Sequence, residues 1–119
     1  MLALAAAPRF ALAQDASGLE TDAVKRIAEC LVQNAPADAQ RLTMVIELAQ
    51  PGDRTGRVRY FATGANGEPQ AYTPCDTGKP AYILLDARQQ MPEDRKGWTA
   101  ARLVVFADGK FELHYDYPK

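Results

Sequence analysis

The sequence predicts an α+β protein, in which a mostly antiparallel sheet of about 4–5 strands has two helices packed on one face. Two segments place apolar residues at the three- and four-residue spacing of a helix, and several shorter segments alternate apolar and polar residues as strands do. Near the C-terminus, Asp108-Gly109 joins two of the alternating segments, as in a β-hairpin. Because alternation leaves one apolar and one polar face, we expect helices on one side of the sheet and water on the other.

Length and composition indicate one globular domain. The chain has 119 residues, of which 47% are hydrophobic and 24% are charged, so one hydrophobic core is sufficient. The formal net charge is −1, and the basic residues are spread along the chain. Since binding to nucleic acid needs a concentrated basic patch, we expect no nucleic-acid partner.

Both helices are predicted from apolar stripes. The first is expected over residues 20–33 and ends where Asn34-Ala35-Pro36 breaks the helical backbone. The second is expected over residues 79–91, with Pro80 in its first turn, where a missing amide hydrogen costs nothing. The stripes consist of Ala23, Val24, Ile27, Ala28 and Leu31 in the first helix and Ala81, Leu84, Leu85, Arg88 and Met91 in the second.

Strands are predicted where apolar and polar residues alternate between turn residues, and over residues 102–106 because these are β-branched and aromatic. Pro51-Gly52-Asp53 separates the first two strands, and a glycine-rich loop over residues 64–67 follows the second. The predicted strands span residues 42–48, 57–62, 70–73, 102–106 and 110–117.

The last strand carries the most regular pattern in the chain, and a two-residue turn at Asp108-Gly109 leads into it. Its apolar face consists of Phe111, Leu113, Tyr115 and Tyr117, and its polar face consists of Lys110, Glu112, His114 and Asp116. We expect the polar face to be open to solvent.

The first residues resemble the end of a secretory signal peptide. Residues 2–13 are apolar and rich in alanine, and Ala11-Leu12-Ala13 is a small-x-small site that predicts cleavage after Ala13. The stretch lacks a basic start and is interrupted by Pro8-Arg9, so we expect the natural start to lie upstream of Met1. A helical or frayed N-terminal arm is the alternative. We therefore expect residues 14–119 to form a single exported domain without a membrane-inserted segment.

Export would place the two cysteines in an oxidising compartment, where disulfides form. Cys30 and Cys75 are 45 positions apart, which excludes a CxxC redox motif, and no histidine cluster accompanies them as in a zinc site. An even number of cysteines in an oxidising compartment predicts a structural disulfide, with two buried free thiols as the alternative.

No pattern in the sequence indicates catalysis. His114, the only histidine, lies between Glu112 and Asp116 on an open strand face, without a nucleophile motif or a cleft. The glycines lack the spacing of a phosphate-binding loop, and Glu93-Asp94 belongs to a mixed-charge loop. Trp98 is expected in the core. We therefore expect no enzyme activity, cofactor or metal.

The C-terminal third resembles the end of YezG-like immunity proteins, small α+β proteins that bind and neutralise a bacterial toxin. The resemblance rests on Lys96-Gly97-Trp98, Asp108-Gly109-Lys110-Phe111 and Tyr115-Asp116-Tyr117, and the order of the earlier elements from residue 20 onward also agrees. It implies a protein partner and no catalytic residues. Members of that family are generally cytoplasmic, so the export signal and the cysteines of this chain depart from the pattern.

Together these observations predict a periplasmic immunity-type protein that binds and neutralises a partner toxin. The expected contact surface contains Glu112, His114 and Asp116, together with Glu93 and Asp94. One alternative is a periplasmic inhibitor of a hydrolase such as lysozyme. Another is a small-molecule binding module with a pocket between the helices and the sheet.

Overall fold

The computed structural model describes residues 18–118 and has the predicted α+β architecture. The expected signal peptide, residues 1–13, lies outside the described residues. The helices are α1 (Gly18–Gln33) and α2 (Lys79–Arg88), with a short 3₁₀ helix at Glu93–Arg95. The strands are β1 (Arg41–Glu47), β2 (Arg57–Thr63), β3 (Pro69–Ala71), β4 (Ala100–Phe106) and β5 (Phe111–Asp116). Neither helix of this part has the length and hydropathy that a membrane span requires.

The five strands form one sheet in the order β3-β2-β1-β4-β5, and every neighbouring pair is antiparallel. The chain therefore leaves the sheet after β3, builds α2, and returns to place β4 beside β1. In the central register, Met44 of β1 lies between Tyr60 of β2 and Leu103 of β4. This pairing of distant segments aligns the apolar positions of all the long strands on one face.

The core fills the space between that face and the two helices. Alternate residues of β1 are buried, as the sequence pattern predicts, and Met44 and Ile46 are fully inaccessible to solvent. Ile27 and Leu31 of α1 and Trp98 are equally inaccessible, so both the helical stripe and the expected position of Trp98 are confirmed. Burial of these large side chains contributes about 1.5–3 kcal/mol each.

The predicted disulfide is present and connects α1 to the segment before α2. Cys30 and Cys75 are bonded, with their α-carbons 4.9 Å apart. Hydrogen bonds reinforce the same junction: the Cys75 amide donates to the Cys30 carbonyl (3.0 Å), and the Tyr72 hydroxyl donates to the Leu31 carbonyl (2.7 Å). The end of α1 is thus attached covalently to the chain that leaves the sheet after β3.

The start of α2 is capped from outside the helix. The Asp76 carboxylate accepts hydrogen bonds from the amides of Gly78 (2.8 Å) and Lys79 (2.9 Å), two donors that have no partner within the helix. Because these bonds favour the charged carboxylate, they lower the pKa of Asp76 below its usual value. Pro80 occupies the first turn, as predicted.

A buried carboxylate connects α1 to the sheet. The Glu20 side chain is 1% exposed, lies 3.3 Å from Nη1 of Arg95, and accepts a hydrogen bond from the Tyr115 hydroxyl at 2.8 Å. Burial, and next the hydrogen bond to Glu20, raise the pKa of the Tyr115 hydroxyl. The Tyr115 ring also stacks on Trp98, with ring centres 5.2 Å apart.

The second buried charge belongs to Arg88 on the apolar side of α2. Its guanidinium donates to the Asp53 carbonyl at 2.6 Å and lies 5.3 Å from the centre of the Trp98 ring. Desolvation lowers the pKa of Arg88, and the nearby charge of Asp53 opposes that shift. The residue therefore attaches the loop between β1 and β2 to the core.

Several predicted boundaries differ from the observed ones by one to three residues, and two of these errors have a visible cause. Helix α2 ends at Arg88 rather than residue 91, because the chain before Pro92 tightens into three-residue turns, in which the Met91 amide donates to the Arg88 carbonyl. The third strand spans Pro69–Ala71 rather than residues 70–73. It stops early because Tyr72 and the disulfide at Cys75 direct the chain toward α1.

The C-terminal hairpin is confirmed, but its loop has three residues rather than two. The Gly109 amide donates to the Phe106 carbonyl (2.9 Å), and the Phe106 amide donates to the Lys110 carbonyl (2.8 Å). Gly109 has φ +89°, a left-handed conformation that follows the first turn and returns the chain to the sheet. Lys110 therefore lies opposite Phe106 directly after the loop, and β5 begins at Phe111.

Candidate functional site

The candidate site is the sheet face opposite the two helices, which we call the open face. Along each strand, every second side chain points into the core, and the side chains between them form the open face. Its residues are Arg41, Thr43, Val45 and Glu47 of β1, Arg57, Arg59, Phe61 and Thr63 of β2, Arg102, Val104 and Phe106 of β4, and Glu112, His114 and Asp116 of β5.

The centre of the open face is apolar. Phe61 and Val104 both pair across the sheet with Thr43, so the two side chains lie on either side of that residue. Val45 and Phe106 extend the patch, and all four apolar side chains are half-buried. They contribute to the lining of a shallow depression of about 420 Å³. An open antiparallel face is normally polar, so this apolar centre marks it as a surface suited to contact.

Charged side chains surround that centre. Arg41, Arg57, Arg59 and Arg102 are exposed, as are the carboxylates of Glu47 and Asp116. Arg59 bonds to Glu47 at 3.2 Å, with both side chains about half exposed. Its guanidinium also lies 6.0 Å from the centre of the Phe61 ring.

The predicted contact residues of β5 do share the open face. Glu112, His114 and Asp116 alternate along the strand, and His114 pairs directly with Arg102 of β4. These contact residues are therefore placed next to an arginine, so the face combines both signs of charge. His114 is exposed on this surface.

Glu93 and Asp94 lie outside the strands that form the open face. They lie in the 3₁₀ helix, whose Arg95 reaches Glu20 on the helical side of the sheet. The Tyr117 hydroxyl bonds to the Arg95 carbonyl and holds the segment beside the end of β5. Both carboxylate residues are exposed there.

Sequence reasoning missed most of the open face. The alternation of Arg57 and Arg59 with core residues was visible in the sequence, as was the position of Phe61 on the same side. The missing information was the strand order, which places β1 between β2 and β4 and so brings Arg102 across from Val45.

A second concave surface lies between the end of α1 and the C-terminal hairpin. This groove of about 350 Å³ is lined mainly by apolar groups, including Ala28, Val32 and Val105. Val32 is 54% exposed there. A specific small-molecule site needs several polar groups that converge on one ligand, and the apolar lining offers little of that kind.

The side chains that typically bind metals are dispersed over residues 18–118. Within that range no three His, Cys, Asp or Glu residues come close enough to share an ion. Comparison with known proteins gives no match, either to a protein-family model or to a curated protein sequence.

Proposed function

We propose that this protein is a periplasmic immunity-type protein that neutralises a partner toxin by binding it with the open face. The observation that carries the proposal is the half-buried apolar centre of a sheet face that neither helix covers. Aromatic residues and arginine are enriched in protein–protein contacts, and this face has Phe61 and Phe106 beside four arginines.

The charges of the open face define the expected partner. Arg41, Arg57 and Arg102 are exposed, and Glu47 lies directly across from Arg57. A complementary partner surface carries carboxylates that face these arginines and an apolar protrusion that enters the depression. Such complementarity directs association and excludes wrong partners.

Two further observations support the toxin-neutralising role and the compartment. Residues 97–117 resemble the end of YezG-like immunity proteins, which makes a toxin the expected class of partner. The disulfide between Cys30 and Cys75 is typical of an oxidising compartment such as the periplasm. Export itself is tested by N-terminal sequencing of the mature protein, which we expect to begin at Gln14.

The binding surface is tested with two matched variants. Arg102→Glu reverses one charge in the middle of the open face, and Arg26→Glu makes the same change on an exposed position of α1. Wild type and both variants are used to capture proteins from a periplasmic extract, followed by quantitative mass spectrometry. The purified partner is then titrated with each variant to measure affinity, stoichiometry and remaining toxin activity.

We expect Arg102→Glu to lose the partner in the capture experiment and to bind the purified partner roughly tenfold or more weakly than wild type does. Arg26→Glu should retain the partner with unchanged affinity. Saturation of the toxin by wild type should abolish its activity at a fixed stoichiometry. Equal binding by both variants contradicts the assignment to the open face, and a saturated partner that stays fully active contradicts neutralisation. Binding of a single-stranded oligonucleotide that Arg102→Glu abolishes would instead identify nucleic acid as the ligand.

A further inference from the structure

Strand β5 forms one end of the sheet, and its outer side is available for pairing. The carbonyls of Lys110 and Asp116 accept hydrogen bonds from the amides of Phe106 and Thr99. The even-numbered residues of β5 therefore direct their backbone N–H and C=O groups toward β4. In an antiparallel ladder the intervening residues, Phe111, Leu113 and Tyr115, direct theirs outward. Among the described residues, no other strand pairs with this side.

The two edges of the sheet differ. Strand β3 has three residues and begins with Pro69, and both features discourage pairing with another chain. Strand β5 has six residues, contains no proline, and keeps an unbroken register with β4. Short length and proline, two features that discourage edge pairing, are therefore present at the β3 end of the sheet and absent from β5.

The sequence of this edge is complementary to itself. When residues 110–116 (KFELHYD) are paired antiparallel with a second copy about Leu113, oppositely charged residues meet at both ends. Lys110 faces Asp116 of the other copy. Glu112 faces His114 of the other copy, Phe111 faces Tyr115 of the other copy, and the two copies of Leu113 face each other. The Lys–Asp and Phe–Tyr pairs are of kinds that stabilise antiparallel strands.

We infer that β5 pairs with β5 of a second copy of this chain to form a symmetric dimer with one continuous sheet. The outward backbone groups of the two strands supply roughly six hydrogen bonds in this register. The two-fold axis runs through the sheet at Leu113, so the helices of both copies lie on one side and both open faces on the other. This inference uses the sheet edge alone and does not rest on the proposed function.

The charged ends of the pairing are accessible in the monomer. The Lys110 side chain is 70% exposed, and its contact with Asp108 is long, at 4.0 Å. Asp116 is exposed on the open face. Both side chains can therefore meet a second copy without disturbing the core.

The dimer is tested by a charge swap followed by sedimentation equilibrium over a range of concentrations. Asp116→Lys places lysines opposite one another at both ends of the pairing, and Lys110→Glu similarly opposes carboxylates. Each single variant should raise the dimer dissociation constant roughly tenfold. The double variant should restore it, because the opposite charges meet again. Asp86→Lys, the same change on an exposed position of α2, is the control and should have no effect.

Amide hydrogen exchange tests the register in the same samples. We expect the amides of Phe111, Leu113 and Tyr115 to exchange more slowly as protein concentration rises. A protein that stays monomeric up to millimolar concentration overturns the inference. A dimer that Asp116→Lys leaves unchanged, or that the double variant fails to restore, overturns the pairing through β5.

Discussion

Removing the Tyr115 hydroxyl tests how much the buried Glu20 carboxylate contributes to stability. Tyr115→Phe deletes the 2.8 Å hydrogen bond to Glu20 but keeps the ring that stacks on Trp98. Hydrogen bonds to charged groups contribute about 1.5–3 kcal/mol, and the Glu20 side chain is only 1% exposed, so water cannot replace the lost donor. We expect the free energy of unfolding to fall by about 2 kcal/mol.

The matched control is Tyr72→Phe. Its hydroxyl makes a bond of similar length, 2.7 Å, but to the neutral carbonyl of Leu31, so the expected loss is about 1 kcal/mol. Urea unfolding, followed by far-UV circular dichroism and by the fluorescence of the single Trp98, measures both losses. In thermal unfolding, these losses correspond to decreases in Tm of about 8 °C for Tyr115→Phe and about 4 °C for Tyr72→Phe. Equal losses, or a larger loss for Tyr72→Phe, would refute the argument that the charged acceptor decides the difference.

Three further predictions concern stability. Replacing Cys30 and Cys75 with serine should lower the free energy of unfolding by about 4 kcal/mol, measured in urea, because the bond closes a long loop in the unfolded chain; unreduced wild type should show no free thiol on titration. Gly109→Ala should cost about 1–2 kcal/mol because its φ is +89°, whereas Gly97→Ala, with equal space for a methyl group, should cost little; a similar loss for both would contradict this account. Burial raises the pKa of Tyr60 from 10.0 to about 12. Since the unfolded state then loses its proton first, stability should fall between pH 10 and 12, and less steeply in Tyr60→Phe, as followed by urea unfolding at each pH.

The parts of the fold that depend on local pattern were predicted correctly. Apolar spacing located both helices, alternation located three of the strands, β-branched and aromatic content located β4, and Asp108-Gly109 located the hairpin. Errors in the element boundaries occurred where a contact with a distant part of the chain overrides the local sequence pattern. The third strand ends early because the disulfide at Cys75 directs the chain toward α1, and a periodicity argument contains no information about that attachment.

The candidate site shows the same division. Alternation along β5 correctly placed Glu112, His114 and Asp116 on one face, because side chains of a strand alternate whatever the strand pairs with. The position of Glu93 and Asp94 relative to these residues could not be derived in this way, since nothing in the sequence states on which side of the sheet the 3₁₀ helix packs.

The sequence by itself determined which residues form helices and strands, which side of each strand is apolar, and which cysteines were available to pair. Only the tertiary structure decided the order of the strands, and hence that arginines from three strands surround one apolar centre. It also decided that Glu20, polar in the sequence, is buried against Tyr115, 95 positions away. The physical reason is that periodicity records the two sides of one element, whereas neighbours across a sheet are selected by the packing of the whole core.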